Sequence, residues 1–129
     1  MKKAVVLSAL FFTTFILFAT KSFAQETFAW KEMNSFHSTA MLSFHGAEDG
    51  KLQPTRDSAA AMLQKATAWQ ASTVPAGHNS AAIKSLLQKL VTECTEINNA
   101  VAAKKTDAAL KPLVLKAHHT FHEIIEKAK

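Results

Sequence analysis

IKSLLQKLVTECTEINNAV, residues 83–101, is the stretch of sequence that decides the fold. Its larger apolar residues recur at steps of three and four, which places them along one side of a helix. They are Ile83, Leu86, Leu87, Leu90, Cys94, Ile97 and Val101. Asn79 or Ser80, just before this stretch, offers a side-chain oxygen that can cap the first turn. We therefore predict an amphipathic helix here, with Cys94 in its buried stripe.

Two segments nearer the N-terminus repeat this helical pattern. In residues 28–44 the apolar positions run from Phe28 to Phe44, and the pattern stops at Gly46, a suitable C-terminal cap. A polar, turn-rich loop follows. Pro54 then suits the first turn of a second helix, whose apolar stripe reaches Trp69.

A fourth helix follows the third after a short polar connection. Thr106 or Asp107 is its candidate N-cap, and its apolar stripe runs over residues 110–125. Pro112 lies inside this stripe and is expected to kink the helix or to postpone its regular start. No segment alternates polar and apolar residues long enough to predict a strand. The sequence thus predicts an all-α fold, an antiparallel up-down-up-down four-helix bundle.

The N-terminus has the three parts of a cleavable export signal, residues 1–24. It has a cationic start with Lys2 and Lys3, an apolar run, and a small-residue end at Ser22-Phe23-Ala24. The alternative is a retained anchor, but the apolar run is short for a membrane span of about 20 residues. We predict an exported protein, periplasmic or secreted, whose mature chain has no membrane span.

Removing the signal leaves one domain, residues 25–129, and changes its charge. The signal carries three of the 15 basic residues and none of the 10 acidic residues, so the formal charge falls from +5 to +2. The longest basic run that remains is Lys104-Lys105. Nucleic-acid binding therefore has little electrostatic support.

Cys94 is the single cysteine of the chain. No intrachain disulfide can form, although an exported compartment would permit one. The motif Cys-x-x-Cys-His is absent from the sequence as well, which argues against covalent c-type haem attachment. Helix packing must therefore stabilise the fold.

Histidines give the chain its chemical interest, because three of the six fall within residues 118–122. His118 and His122 are four residues apart, so a helix presents both rings on one ridge, where they can bind one metal ion. His119 lies on another side of the helix and is expected to face solvent. We therefore take His118 and His122 as the first two candidate metal ligands.

In the predicted bundle the first and last helices are neighbours, and this supplies further candidate ligands. His37 is expected near the level of His118, and Met33 near the level of His122. Imidazoles with a thioether suit copper, whereas several imidazoles suit zinc, copper or nickel. His78, in a loop, is a more distant candidate.

His45 is expected well away from this layer, roughly 12 Å from His37 at ~1.5 Å of rise per residue. We predict that it hydrogen-bonds or caps near Glu48 and Asp49, with a second, oxygen-rich metal site as the alternative. The competing interpretation of the main group is that His118 and His122 are hydrogen-bonded boundary residues and His37 a polar core residue. Methionines such as Met33 are commonly core-filling residues.

The residues Ile97-Asn98-Asn99-Ala100-Val101, the lysine-rich turn and His119-Thr120-Phe121-His122 resemble the third-to-fourth-helix passage of periplasmic b-type four-helix-bundle cytochromes. This resemblance implies a haem b with His122 and Met33 as axial ligands. The stretch from Phe36 to Pro54 is also similar to a group of small exported helical proteins without an assigned activity. That second resemblance implies export and a helical fold.

Three functions follow from these features. The first is a non-enzymatic bundle that binds a transition metal (Cu, Zn or Ni) or haem b through Met33, His37, His118 and His122. The second is a cofactor-free structural or interaction module with an envelope protein as partner. An enzyme is the weakest of the three, because the sequence has no serine-nucleophile motif, no Glu-x-x-His pair and only three glycines.

Overall fold

The computed structural model describes residues 30–129, which form four helices and no strand. The helices are α1 (Lys31–Glu48), α2 (Gln53–Ala71), α3 (Ser80–Ala102) and α4 (Asp107–Lys127). α1 packs on α2 and α4, and α3 packs on the same two helices. The predicted all-α fold is confirmed, and this packing is that of a helical bundle. The predicted signal, residues 1–24, lies outside the described residues.

The helix starts follow from local chemistry. Pro54 lies in the first turn of α2, as predicted. The side chain of Asn79 accepts a hydrogen bond from the backbone N–H of Ala82 (3.1 Å), and Thr106 caps α4 in the same way through Ala109 (3.2 Å). Of the two candidates at each start, Asn79 and Thr106 are therefore the caps.

Pro112 does not postpone the start of α4, which is helical from Asp107 onward. That part of the expectation is wrong. A proline lacks the N–H that would bond to the carbonyl four residues earlier, here that of Ala108. Both Ala108 and Pro112 are exposed, so water can hydrogen-bond to the free carbonyl.

Gly46 lies inside α1 and does not cap it, because the helix continues to Glu48 and Gly50 takes the left-handed conformation after it (φ 74°). The prediction of a cap at Gly46 is wrong. The chain needs glycine there for another reason. The backbone N–H of Lys51 bonds to the Gly46 carbonyl (2.7 Å), and a Cβ on Gly46 would lie 2.7 Å from the carbonyl oxygen of Lys51.

We therefore expect Gly46→Ala to destabilise the protein, although alanine normally favours a helix interior. The backbone would have to move away from the new methyl group. This strain should lower the free energy of unfolding by about 1–3 kcal/mol. Urea denaturation of the two proteins measures this difference. A variant as stable as the wild type would contradict the close approach between Gly46 and Lys51.

The core between the helices contains a group of touching aromatic rings. Phe36 of α1 lies 5.5 Å from Trp69 of α2 and 5.7 Å from Phe121 of α4, measured between ring centroids. Phe44 lies 5.9 Å from Phe121. All four side chains are at most 2 % exposed, so aromatic burial contributes strongly to the contact of α1 with α4.

Cys94 is 1 % exposed in α3, which confirms its predicted burial. Desolvation, with a smaller contribution from the nearby Glu93, raises the pKa of its thiol to about 12. Cys94 is therefore a protonated, apolar core residue at neutral pH.

Glu93 and Thr120 fix the rotation of α4. The buried Thr120 hydroxyl donates a hydrogen bond to Oε1 of Glu93 (3.0 Å), across the α3–α4 interface. Burial raises the pKa of the Glu93 carboxyl, against the lowering effect of the Thr120 bond. Because Thr120 points toward α3, His118 and His122, each two residues away from it, are turned to the other side of α4, toward α1.

None of the helices within residues 30–129 is both long and apolar enough to cross a membrane.

Candidate functional site: a histidine cluster between α1 and α4

The two histidines of α4 contact each other directly. Nε2 of His118 lies 2.9 Å from Nε2 of His122, within hydrogen-bond distance, and the ring centroids are 4.6 Å apart. The intervening Thr120 and Phe121 are buried, which leaves the histidine ridge beside the core and next to α1. The prediction that the rings of His118 and His122 lie side by side on α4 is confirmed.

α1 covers one of these two rings. Phe44 stacks on His118, with centroids 4.5 Å apart and planes 16° apart. Oε1 of Glu48 lies 3.2 Å from Nδ1 of His118. The His118 side chain is only 13 % exposed, so it is well shielded from solvent.

His45 joins the group through the same glutamate. Its Nδ1 lies 3.3 Å from Oε2 of Glu48, which confirms the predicted hydrogen bonding between these two residues. Its ring, however, is 5.9 Å from that of His118. The expected separation of His45 from His37 agrees with their eight-residue spacing in α1, whereas the expected separation of His45 from His118 is wrong.

His37 is the fifth member. It stacks on Phe121, with centroids 5.2 Å apart and planes 14° apart. Phe121 precedes His122 in α4. Burial lowers the pKa of His37, and the charges of His45 and His122 lower it further. We use the term histidine cluster for these five residues: His37, His45, Glu48, His118 and His122.

The axial register between α1 and α4 differs from the expected register by more than one helical turn. His118 lies against Phe44 and Glu48 instead of His37, and His37 lies beside Phe121. Met33 is four residues earlier in α1, about 6 Å away along the helix axis. It is 2 % exposed in the apolar core, where its side chain acts as a filling residue.

The remaining histidines lie outside the cluster. His119 faces solvent, as predicted, with a 75 % exposed side chain and an ion pair to Glu123 (3.2 Å). His78 is partly buried in the connection between α2 and α3.

Burial holds two rings of the cluster in their neutral form. Desolvation lowers the pKa of His37, and the charges of His45 and His122 lower it further. Desolvation and His122 also lower the pKa of His118, against the opposite effect of Glu48. Neutral imidazole is the form that offers a nitrogen lone pair to a metal ion.

These lowered pKa values predict how stability depends on pH. Below about pH 6.5 the unfolded chain binds more protons at His37 and His118 than the folded protein does. The stability that depends on keeping His37 and His118 neutral is thus fully present above pH 6.5, and it is lost as the pH falls. We expect the His37→Gln/His118→Gln variant to lose less stability than the wild type between about pH 7.5 and pH 5.

Urea denaturation across that range measures the two pH slopes. His119→Gln is the matched control, because its side chain is exposed, and its slope should equal that of the wild type. Equal slopes for the wild type and the double variant would contradict the burial argument.

The geometry of His118 and His122 is close to that of a chelating pair. Two imidazoles bound to one tetrahedral zinc ion at about 2.0–2.1 Å have nitrogens roughly 3.3 Å apart. The observed 2.9 Å is a few tenths of an ångström shorter. Within residues 30–129, no three His, Cys, Asp or Glu side chains are already arranged around one ion position. A third ligand therefore requires a side chain of the cluster to rotate.

Haem fits the same residues poorly. Axial ligands bind on opposite faces of the porphyrin, with ligand atoms about 4 Å apart, so His118 and His122 are too close to hold one between them. A porphyrin between Met33 and His122 would have to displace Phe36 and Phe121, which are buried against each other.

Sequence reasoning missed Glu48 as a partner of His118 and placed His45 elsewhere. The spacing of His45 and Glu48 is three residues, which is a local signal for their mutual hydrogen bond. No local signal gives the contact of Glu48 with His118, because it depends on how far α4 is shifted along α1.

Comparison of this chain with protein-family models, with curated proteins and with solved structures finds no match.

Proposed function

We propose that this protein binds a divalent transition metal ion through His118 and His122, at the seam between α1 and α4. The observation that carries the proposal is the pair of Nε2 atoms 2.9 Å apart on adjacent turns of α4. A metal ion would replace the hydrogen bond between them. His45 and the Glu48 carboxylate lie close to His118 and are the nearest candidates for further ligands or support, whereas His37 is linked to the pair through Phe121.

The donor set points to zinc, copper(II) or nickel. The histidine cluster offers imidazole nitrogens and carboxylate oxygens, which suit these ions. The thiol of Cys94 is buried in α3 with a pKa raised to about 12, and the thioether of Met33 lies in the core. Neither Cys94 nor Met33 therefore offers a sulfur ligand to the cluster.

A bare ion is favoured over haem b by the packing of the aromatic core. Phe36, Phe44 and Phe121 fill the space between α1 and α4 beside the cluster. An ion at the rim of this core needs no such space. The proposal thus keeps His118 and His122 from the sequence interpretation and leaves Met33 out of the ligand set.

We infer an antiparallel order for the bundle from contacts that run in opposite directions along neighbouring helices. Between α3 and α4, Lys89 pairs with Glu123, and Glu96 pairs with Lys116. Between α1 and α2, the start of one contacts the end of the other through Trp30 and Ser72 (2.9 Å). The up-down-up-down topology accounts for both sets of contacts.

Export, non-enzymatic binding and an envelope location remain part of this proposal, on the strength of the signal-like residues 1–24. The alternative of a cofactor-free interaction module has weaker support. Within residues 30–129, Leu42 is the one large apolar side chain that is strongly exposed, at 74 %. A single exposed leucine is ordinary for a monomeric surface.

Calorimetric titration of the mature protein with Zn2+, Cu2+, Ni2+ and haemin tests this function. We expect one binding event per chain with at least one of the three ions. Haemin is also followed by its absorbance, and it should not give the Soret band of a six-coordinate haem. Absence of binding for all three ions would remove the proposed function.

A further inference from the structure

Glu48 contacts two histidines that belong to different helices. One oxygen, Oε1, lies 3.2 Å from Nδ1 of His118 in α4. The other, Oε2, lies 3.3 Å from Nδ1 of His45 in α1. In both rings the nitrogen nearest to the carboxylate is Nδ1.

This arrangement determines where each ring carries its proton. An ionised carboxylate has no proton to donate, so its negative charge beside Nδ1 favours the neutral tautomer of each ring that carries its proton on Nδ1. The lone pair of the ring is then on Nε2. For His118, Nε2 is the atom that faces His122.

The tautomer of His118 also decides which ring donates the hydrogen bond between His118 and His122. In the Nδ1–H tautomer, Nε2 of His118 carries no proton, so Nε2 of His122 donates the hydrogen bond between the two rings. A metal ion between the two rings takes the place of that proton. His122 then loses its proton from Nε2 to water and gains one from water at Nδ1, so the ring stays neutral. His118 needs no such change.

We propose that Glu48 is the positioning residue of the metal site: its carboxylate holds His118 and His45 as Nδ1–H tautomers, with Nε2 ready for the ion. This inference rests on the proposed function, because it assigns a role within that site. Carboxylates that hold metal-binding histidines in this way orient the ring and raise its basicity. The 13 % exposure of the His118 side chain favours the effect, because little water competes for Nδ1.

Long-range 1H–15N spectra of the histidine rings test the tautomers in the metal-free protein. The spectra are recorded at about pH 8, above the ordinary histidine pKa of 6.5. We expect His118 to be an Nδ1–H tautomer in the wild type and to shift toward Nε2–H in Glu48→Ala. Glu48→Gln should keep much of the Nδ1–H form, because its amide oxygen also accepts a hydrogen bond.

Zinc titration of the same proteins tests the consequence for binding. Glu48→Ala should bind Zn2+ about 10-fold or more weakly, the usual effect of removing an outer carboxylate, with Glu48→Gln in between. Glu96→Ala is the matched control. It removes a carboxylate that pairs with Lys116 across the α3–α4 interface and contacts no member of the cluster, so its affinity should equal that of the wild type.

Two results would overturn the inference. One is a His118 tautomer that is the same in the wild type and Glu48→Ala. The other is a loss of all binding in both Glu48 variants without a change of tautomer, which would make Glu48 a direct ligand. If the wild type binds no metal but the tautomer shifts in Glu48→Ala, the proposed function fails while the control of the ring by Glu48 stands. Circular dichroism confirms that each variant is folded.

Discussion

Replacing both His118 and His122 by alanine is expected to weaken binding of the preferred ion by more than about 100-fold. The loss of an outer-shell partner alone commonly costs 10–100-fold, and this variant loses two direct ligands. The two rings also form the one hydrogen-bonded imidazole pair among residues 30–129. Isothermal titration of the wild type and the variant under the same buffer conditions measures the ratio.

The matched control is His78→Ala/His119→Ala, which also removes two imidazoles. Neither residue belongs to the histidine cluster, and His119 is 75 % exposed. We expect its affinity to remain close to that of the wild type. If the two double variants bound the ion equally well, binding would be a general property of surface histidines and the assignment to the seam would be wrong.

Phe121→Ala is expected to lower the free energy of unfolding by about 3–5 kcal/mol, as for other buried phenylalanines. The Phe121 ring lies within 6.0 Å of Phe36, Phe44 and Trp69, centroid to centroid, and His37 stacks on it. Phe121 connects the aromatic core with His37, as Phe44 connects it with His118. The melting temperature should fall by more than about 10 °C for a domain of this size.

Leu42→Ala is the control for this variant, because the leucine is 74 % exposed and should change stability by less than about 0.5 kcal/mol. Urea denaturation gives both values. A loss below about 1 kcal/mol in Phe121→Ala would show that the ring is not packed as described.

Most of the fold could be predicted because its determinants are local. The three-four spacing of apolar residues in 83–101 directly reflects the 3.6-residue turn, so α3 and the burial of Cys94 follow from it. The caps are local too, since Asn79 and Thr106 bond to backbone N–H groups three residues ahead.

The errors in the fold have tertiary causes. Gly46 matches the pattern of a helix end, but the returning backbone at Lys51 is what requires glycine there. Pro112 breaks a helical rule, but its unbonded carbonyl partner lies on the exposed side of α4. Neither the returning backbone nor the exposure can be read from neighbouring residues.

The candidate site divides in the same way. The contact between His118 and His122 was predictable, because residues four apart on a helix are neighbours. The partners from α1 depend on the axial shift between two helices that are far apart in sequence. Aromatic packing of Phe36 and Phe44 against Phe121 sets that shift, which brings Glu48 to His118 and leaves Met33 in the core.

The central claim is that one metal ion binds between His118 and His122. A crystal structure of residues 25–129 with Zn2+, with anomalous diffraction measured at the zinc edge, tests this claim most directly. The claim predicts an anomalous peak at the α1–α4 seam, about 2.0–2.1 Å from both Nε2 atoms. A zinc peak at His78 or His119, with the hydrogen bond of His118 to His122 still intact, would contradict it.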